Sequence, residues 1–134
     1  MEAFIRQEVA SYHSKFFSSE EGLIKFWPET YDLYGWIVSL NSGGSLRPHM
    51  HEDGWISGSI YINVPPKREK NTGNLVVCID DEEFNDTQRL NSKRIIEVNT
   101  GTLCLFPSSL LHYTLPFTSD EKRIVLAFDV MPIK

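Results

Sequence analysis

Residues 47–63, RPHMHEDGWISGSIYIN, join a histidine-bearing turn to an alternating strand. Successive side chains of a strand point to opposite faces, so His49 and His51 share a side, as do Ser57, Ser59, Tyr61 and Asn63. One face therefore carries imidazoles, hydroxyls and an amide where a core strand would carry aliphatic groups. Such a face reads as the wall of a site.

A second stretch has the same character. Residues 101–130, GTLCLFPSSLLHYTLPFTSDEKRIVLAFDV, hold a strand-like run bracketed by Gly101 and Pro107, a Ser-Ser turn and a strand with His112. Eleven residues after His112 comes Arg123, at the head of a final strand. On that strand Arg123, Val125, Ala127 and Asp129 share one face, and Ile124, Leu126, Phe128 and Val130 share the other. An arginine among small residues points to a cavity with a cation in its wall, and a guanidinium is the natural fork for a carboxylate.

The periodicity of the chain changes once. Ile5, Val9, Tyr12 and Phe16 fall at i, i+4, i+7 and i+11, the apolar stripe of an amphipathic helix. Ser18 and Ser19 ahead of Glu20 and Glu21 predict the cap of a second short helix that Pro28 ends. His13, Trp36 and Trp55 read as packing or partly solvated residues. From Leu33 onward, short alternating runs are separated by Gly, Pro, Asn and Asp clusters. About eight strands are predicted, at 34–40, 46–51, 55–63, 74–79, 95–98, 102–106, 111–115 and 123–131, the spacing of an all-β barrel or sandwich. A single domain is expected, with residues 1–30 as helical support and 33–132 as the β core. Polar loops at 65–72 and 80–92 are expected to frame the mouth of its cavity.

The 134 residues are 41% hydrophobic, enough for one core and too few for two. Thirteen basic residues stand against eighteen acidic ones, a net charge of −5, and no basic cluster is longer than Lys67, Arg68 and Lys70. A nucleic-acid partner is not expected. No apolar run approaches the roughly 20 residues that span a bilayer, and MEAFIRQEVA lacks the apolar block of a secretion signal. The expectation is therefore a cytoplasmic protein without a membrane partner. Cys78 and Cys104 lie in strand-like runs without a paired CxxC spacing and read as buried reduced thiols.

In order, the chain shows Gly43-Gly44, Pro48-His49-Met50-His51, Trp55-Ile56-Ser57-Gly58 and Tyr61, then Gly101, Phe106-Pro107-Ser108, His112 and Arg123. This order resembles the Fe(II)- and 2-oxoglutarate-dependent oxygenases, which carry an HxH or HxD pair, a long gap, a distal His and then an Arg. The likeness is greatest to the 2OG-Fe(II) oxygenase group, prolyl-hydroxylase-like and related in fold to cupins, with some members attached to tetratricopeptide repeats. It spans roughly residues 34–132, and its pieces are specific only in combination.

The resemblance implies a mainly β protein, a double-stranded β-helix (jelly roll) of about eight strands with one or two N-terminal helices. It implies Fe(II) and 2-oxoglutarate as cofactors, dioxygen as a further partner, and a hydroxylase acting on a peptide, protein or small molecule. Oxidative decarboxylation of 2-oxoglutarate to succinate would be coupled to C–H oxidation. The resemblance assigns the metal to His49, His51 and His112, and the distal carboxylate of 2-oxoglutarate to Arg123. Tyr61, Ser59 or Thr114 would lend a hydroxyl beside that ion pair.

One position departs from the family pattern, because His51 stands where most members carry Asp. Either His49, His51 and His112 form a three-histidine set, or His51 and Asp53 form the His-x-Asp pair with His49 behind it or beside the substrate. Residues 49, 51 and 53 share parity, so alternation leaves both open; Gly54 places Asp53 in a turn and favours the three histidines. Two further readings stand beside the oxygenase. A cupin-type metalloprotein of other chemistry would carry a Glu where this chain has Ile56 or Ser57, and a non-catalytic binding module could use the same barrel. Edge strands of such barrels also offer a surface for a homodimer.

Overall fold

The computed structural model describes residues 1–78 and 93–133. A helix α1 (Glu2–Lys15) and a single turn α2 (Gly22–Lys25) precede eight strands. These are β1 (Tyr31–Leu40), β2 (Leu46–His49), β3 (Ile56–Asn63), β4 (Leu75–Cys78), β5 (Lys93–Ile96), β6 (Leu103–Pro107), β7 (Leu111–Thr114) and β8 (Arg123–Pro132). They pair antiparallel in two four-stranded sheets, ordered β1-β8-β3-β6 and β2-β7-β4-β5. The chain changes sheet at nearly every connection, as in a double-stranded β-helix, and leaves a cavity between the sheets.

The alternation of β8 sets up both sides of the first sheet. Phe128 and Val130 face outward and pack with Ile56 against Ile5 and Val9 of α1. Val125 faces inward and joins Tyr61, Leu75, Val98 and Phe106 in a second apolar cluster between the sheets. Gly58 makes the outer packing feasible: a Cβ there would meet the Phe128 ring at 2.1 Å.

Several element boundaries differ from the sequence expectation. β1 starts at Tyr31, earlier than expected, because Tyr31, Asp32 and Leu33 continue the ladder against Pro132, Met131 and Val130. β2 ends at His49, so His51 lies in the following turn. Phe16 lies just past the end of α1, exposed, with its ring 4.9 Å from Tyr12. Ser19 accepts the Glu21 N–H at 3.2 Å, but α2 begins after Glu21 with no side-chain cap, so the serines build a turn instead of a cap. His13 stacks on Trp27 at 4.4 Å. The loop at 65–72 contributes no residue to the cavity wall, so it does not frame a mouth; the expectation for 80–92 lies outside the described residues. Cys78 and Cys104 are thiols, the first buried and the second half-buried. Among the described residues, no helix is long and apolar enough to cross a membrane.

Candidate active site

β2 pairs with β7 so that His49 faces His112, with ring centroids 4.2 Å apart. His51 arrives from the turn after β2, where its N–H donates to the Ser108 carbonyl and its own carbonyl accepts the Gly54 N–H, each at 3.1 Å. Its ring lies 5.1 Å from that of His49 and 5.0 Å from that of His112. One ring nitrogen from each histidine falls within 4.8 Å of the others. Asp53 lies exposed on the turn and takes no part in this cluster.

Each ring is held through Nδ1. His49 meets the Arg47 carbonyl at 2.8 Å, His112 the Leu110 carbonyl at 3.2 Å, and His51 both carboxylate oxygens of Asp129 at 2.7 Å. With Nδ1 donating to an acceptor, Nε2 on each ring remains as a lone-pair donor. Burial lowers the His112 pKa to about 4, with the Leu110 carbonyl pulling the other way, so this imidazole is neutral near pH 7. Neutral imidazole is the form that binds a transition metal, and a three-imidazole ligand set suits iron among other first-row ions.

A cavity of about 160 Å³ runs between the sheets, with Val38, Leu46, Leu75, Phe106 and Val125 among its apolar walls. Arg123 opens β8 and Asp129, behind His51, lies near its end, so the arginine and the histidines mark opposite ends of the cavity. Arg123 is 2% exposed, and its Nε donates to the Gly73 carbonyl at 3.1 Å. Its guanidinium carbon lies 5.1 Å from the centre of the Tyr61 ring. No carboxylate among the described residues pairs with it. Burial lowers the Arg123 pKa and the neighbouring Tyr61 raises it, the balance of a desolvated cation whose charge an anion would compensate.

Tyr61 is buried, which raises its pKa and keeps the phenol protonated, and Ser59 donates to its oxygen at 3.2 Å. Ser57, Ser59, Tyr61 and Thr114 all lie on the cavity wall. Asn63 does not: a bulge between Tyr61 and Asn63 breaks the alternation, and its side chain donates to the Lys122 carbonyl at 2.8 Å. Sequence reasoning placed Asp129 on the Arg123 face without a partner, and the parity of β8 was the signal available for it. Trp36, expected as packing, lines the cavity with its ring 5.5 Å from His51 and stays 39% exposed. Trp55 does pack, with its indole N–H on the Leu23 carbonyl at 3.0 Å.

A family model described as "Putative 2OG-Fe(II) oxygenase" matches residues 34–129. Among curated proteins, none matches the chain in sequence. Among solved structures, a Pseudomonas putida prolyl-4-hydroxylase superposes with a TM-score of 0.60 at 19% identity, over 84% of this chain and 58% of that one. A 2OG-Fe(II) oxygenase family oxidoreductase from Burkholderia pseudomallei gives 0.56 at 12% identity, over 75% and 46%. HygX from Streptomyces hygroscopicus, with nickel and 2-oxoglutarate bound, gives 0.53 at 12% identity, over 75% and 58%. At these identities the likeness is one of fold, and the chain spans about half the length of the enzymes it resembles. The family model, by contrast, takes in most of the sequence, including the three clustered histidines and the buried arginine, and on that ground the chain belongs to the 2OG-Fe(II) oxygenase family, whose members use Fe(II) and 2-oxoglutarate.

Proposed function

We propose that this chain is an Fe(II)- and 2-oxoglutarate-dependent hydroxylase whose 134 residues form one catalytic domain. The observation that carries this reading is a cluster of three imidazoles at one end of a small cavity and a buried guanidinium without a carboxylate partner, among the described residues, at the other. His49, His51 and His112 would hold the metal through Nε2. Arg123 would take the distal carboxylate of 2-oxoglutarate, with the Tyr61 phenol, Ser59 and Thr114 supplying hydroxyls around it. Iron with 2-oxoglutarate supplies dioxygen activation, in the balance R–H + O2 + 2-oxoglutarate → R–OH + succinate + CO2.

The walls perform the remaining work. Val38, Leu46, Leu75, Phe106 and Val125 would exclude water from the length of a bound keto acid and strengthen its pairing with Arg123 by lowering the local dielectric. A volume of about 160 Å³ falls below the roughly 300–1,000 Å³ of sites that enclose a drug-sized ligand. A keto acid held by Arg123 would take up most of this volume, which would leave a substrate carbon to approach from outside, where Trp36 stands exposed beside His51.

The test is succinate formation. Iron-loaded protein with 2-oxoglutarate and oxygen is expected to release succinate slowly even without substrate. Arg123→Ala is expected to lower that turnover at least about tenfold while leaving metal binding intact, as for loss of a charge-assisted pair. Wild-type protein that binds metal yet neither binds nor consumes 2-oxoglutarate would overturn the reading.

A further inference from the structure

Ser57, Ser108 and Gly54 lie in the sequence stretches that carry the histidines, and Ser57 Oγ lies 3.5 Å from His51 Nδ1. The structure gives them one shared object. Ser108, fully buried, lies 2.8 Å from Ser57 Oγ, and Ser57 Oγ donates to Asp129 Oδ1 at 2.7 Å. Since Ser57 spends its proton on Asp129, Ser108 is the donor in the first bond. Gly54 leaves room for this line, because a Cβ at that position would come within 2.5 Å of Ser108 Oγ. The line ends on a carboxylate that is 8% exposed and bonded through both oxygens to His51 Nδ1.

We propose that Asp129 is a positioning residue for the metal centre: it supplies, one ring further out and through His51, the negative charge that a three-imidazole ligand set lacks. The proposal rests on the assignment of His49, His51 and His112 as ligands. In a two-His, one-carboxylate set the third ligand brings a charge of −1 to the metal itself. Here the clustered donors are all imidazoles, and among the described residues a carboxylate, Asp129, stands directly behind one of the three. The other two rings donate to uncharged carbonyls of Arg47 and Leu110, so among the described residues His51 is the one ring of the three that hydrogen-bonds a carboxylate. A carboxylate accepting from Nδ1–H makes Nε2 the more basic donor and fixes the ring about its χ angles. Fixing matters most for His51, which lies in a turn and gains no orientation from a sheet ladder.

A purely structural alternative exists, in which the bond only pins β8 to the turn after β2. Binding of Co(II), monitored by its visible ligand-field bands, separates the two in wild type, Asp129→Asn, Asp129→Glu and Ser57→Ala. Asparagine keeps the shape and one acceptor oxygen but removes the charge. The expected result is about 10- to 100-fold weaker Co(II) binding and shifted bands in D129N, with partial recovery in D129E. Wild-type affinity and an unchanged spectrum in D129N would overturn the proposal while leaving the oxygenase reading in place. Wild-type protein that binds no Co(II) would overturn both. Should D129N fail to fold, S57A decides: it loosens the carboxylate and is expected to weaken Co(II) several-fold, and wild-type affinity there would overturn the proposal.

Discussion

His112 shows how much a single side chain depends on its surroundings. Its imidazole is 8% exposed, between Phe106 and the other two histidines, and burial holds its pKa at about 4, below the ordinary 6.5. The unfolded chain therefore takes up a proton near pH 6.5 that the folded chain refuses until about pH 4. Stability from this group is complete above pH 6.5 and is lost progressively as pH falls through that window, on the order of 3 kcal/mol in all. Urea denaturation of metal-free protein at pH 7 and pH 5 is expected to show this loss, and His112→Gln is expected to show a smaller slope. Equal slopes would mean that His112 does not set it. The histidines themselves could be picked out from residue type and spacing. Asp129 could not be given its role that way, since a shared strand face fixes parity but not the residue across the turn that will meet it.

Among the elements, β2 and β7 bring His49 and His112 together, while β3 and β8, next to each other in the centre of the other sheet, carry Ser57, Ser59, Tyr61, Arg123 and Asp129. Their register places Ser57 beside Asp129 and Gly58 beside Phe128. Phe128 is buried under α1 and has no space to turn, so Gly58→Ala is expected to destabilise by about 3 kcal/mol through overpacking. Gly101→Ala makes the control, with φ at +91° and open space around the added methyl; backbone strain alone predicts a loss of about 1 kcal/mol. Chemical denaturation checks the order, and a G58A loss no larger than that of G101A would contradict the packing argument. The strands were legible from alternation, but their ends were not. β2 stops at His49 because the chain turns to hydrogen-bond with Ser108, a partner 57 residues beyond His51 in sequence.

For the whole molecule, the proposed assignment of the two ends of the cavity implies sequential ligand binding. In the proposed site Arg123 would take only the distal carboxylate, and the other end of the keto acid would need an ion held by the histidines. Co(II) in the absence of oxygen is expected to raise the Tm, by roughly 8 °C at a hundredfold excess over Kd, equivalent to about 2.7 kcal/mol. 2-Oxoglutarate is then expected to add a further rise that disappears when EDTA removes the metal. A full rise with 2-oxoglutarate and EDTA together would show that Arg123 holds the acid without the ion.

Residue types, their parity and their order were enough to indicate an all-β barrel, three candidate histidines and a cavity arginine, because strand alternation and metal-ligand chemistry are local properties. Tertiary packing decided the rest. It left Asp53 exposed on its turn and set Asp129 behind His51. It placed the loop at 65–72 outside the cavity wall and left Trp36 at its mouth. Those outcomes depend on which strands become neighbours and in what register, and that is settled by the burial of both sheets at once, beyond the reach of any short stretch of sequence.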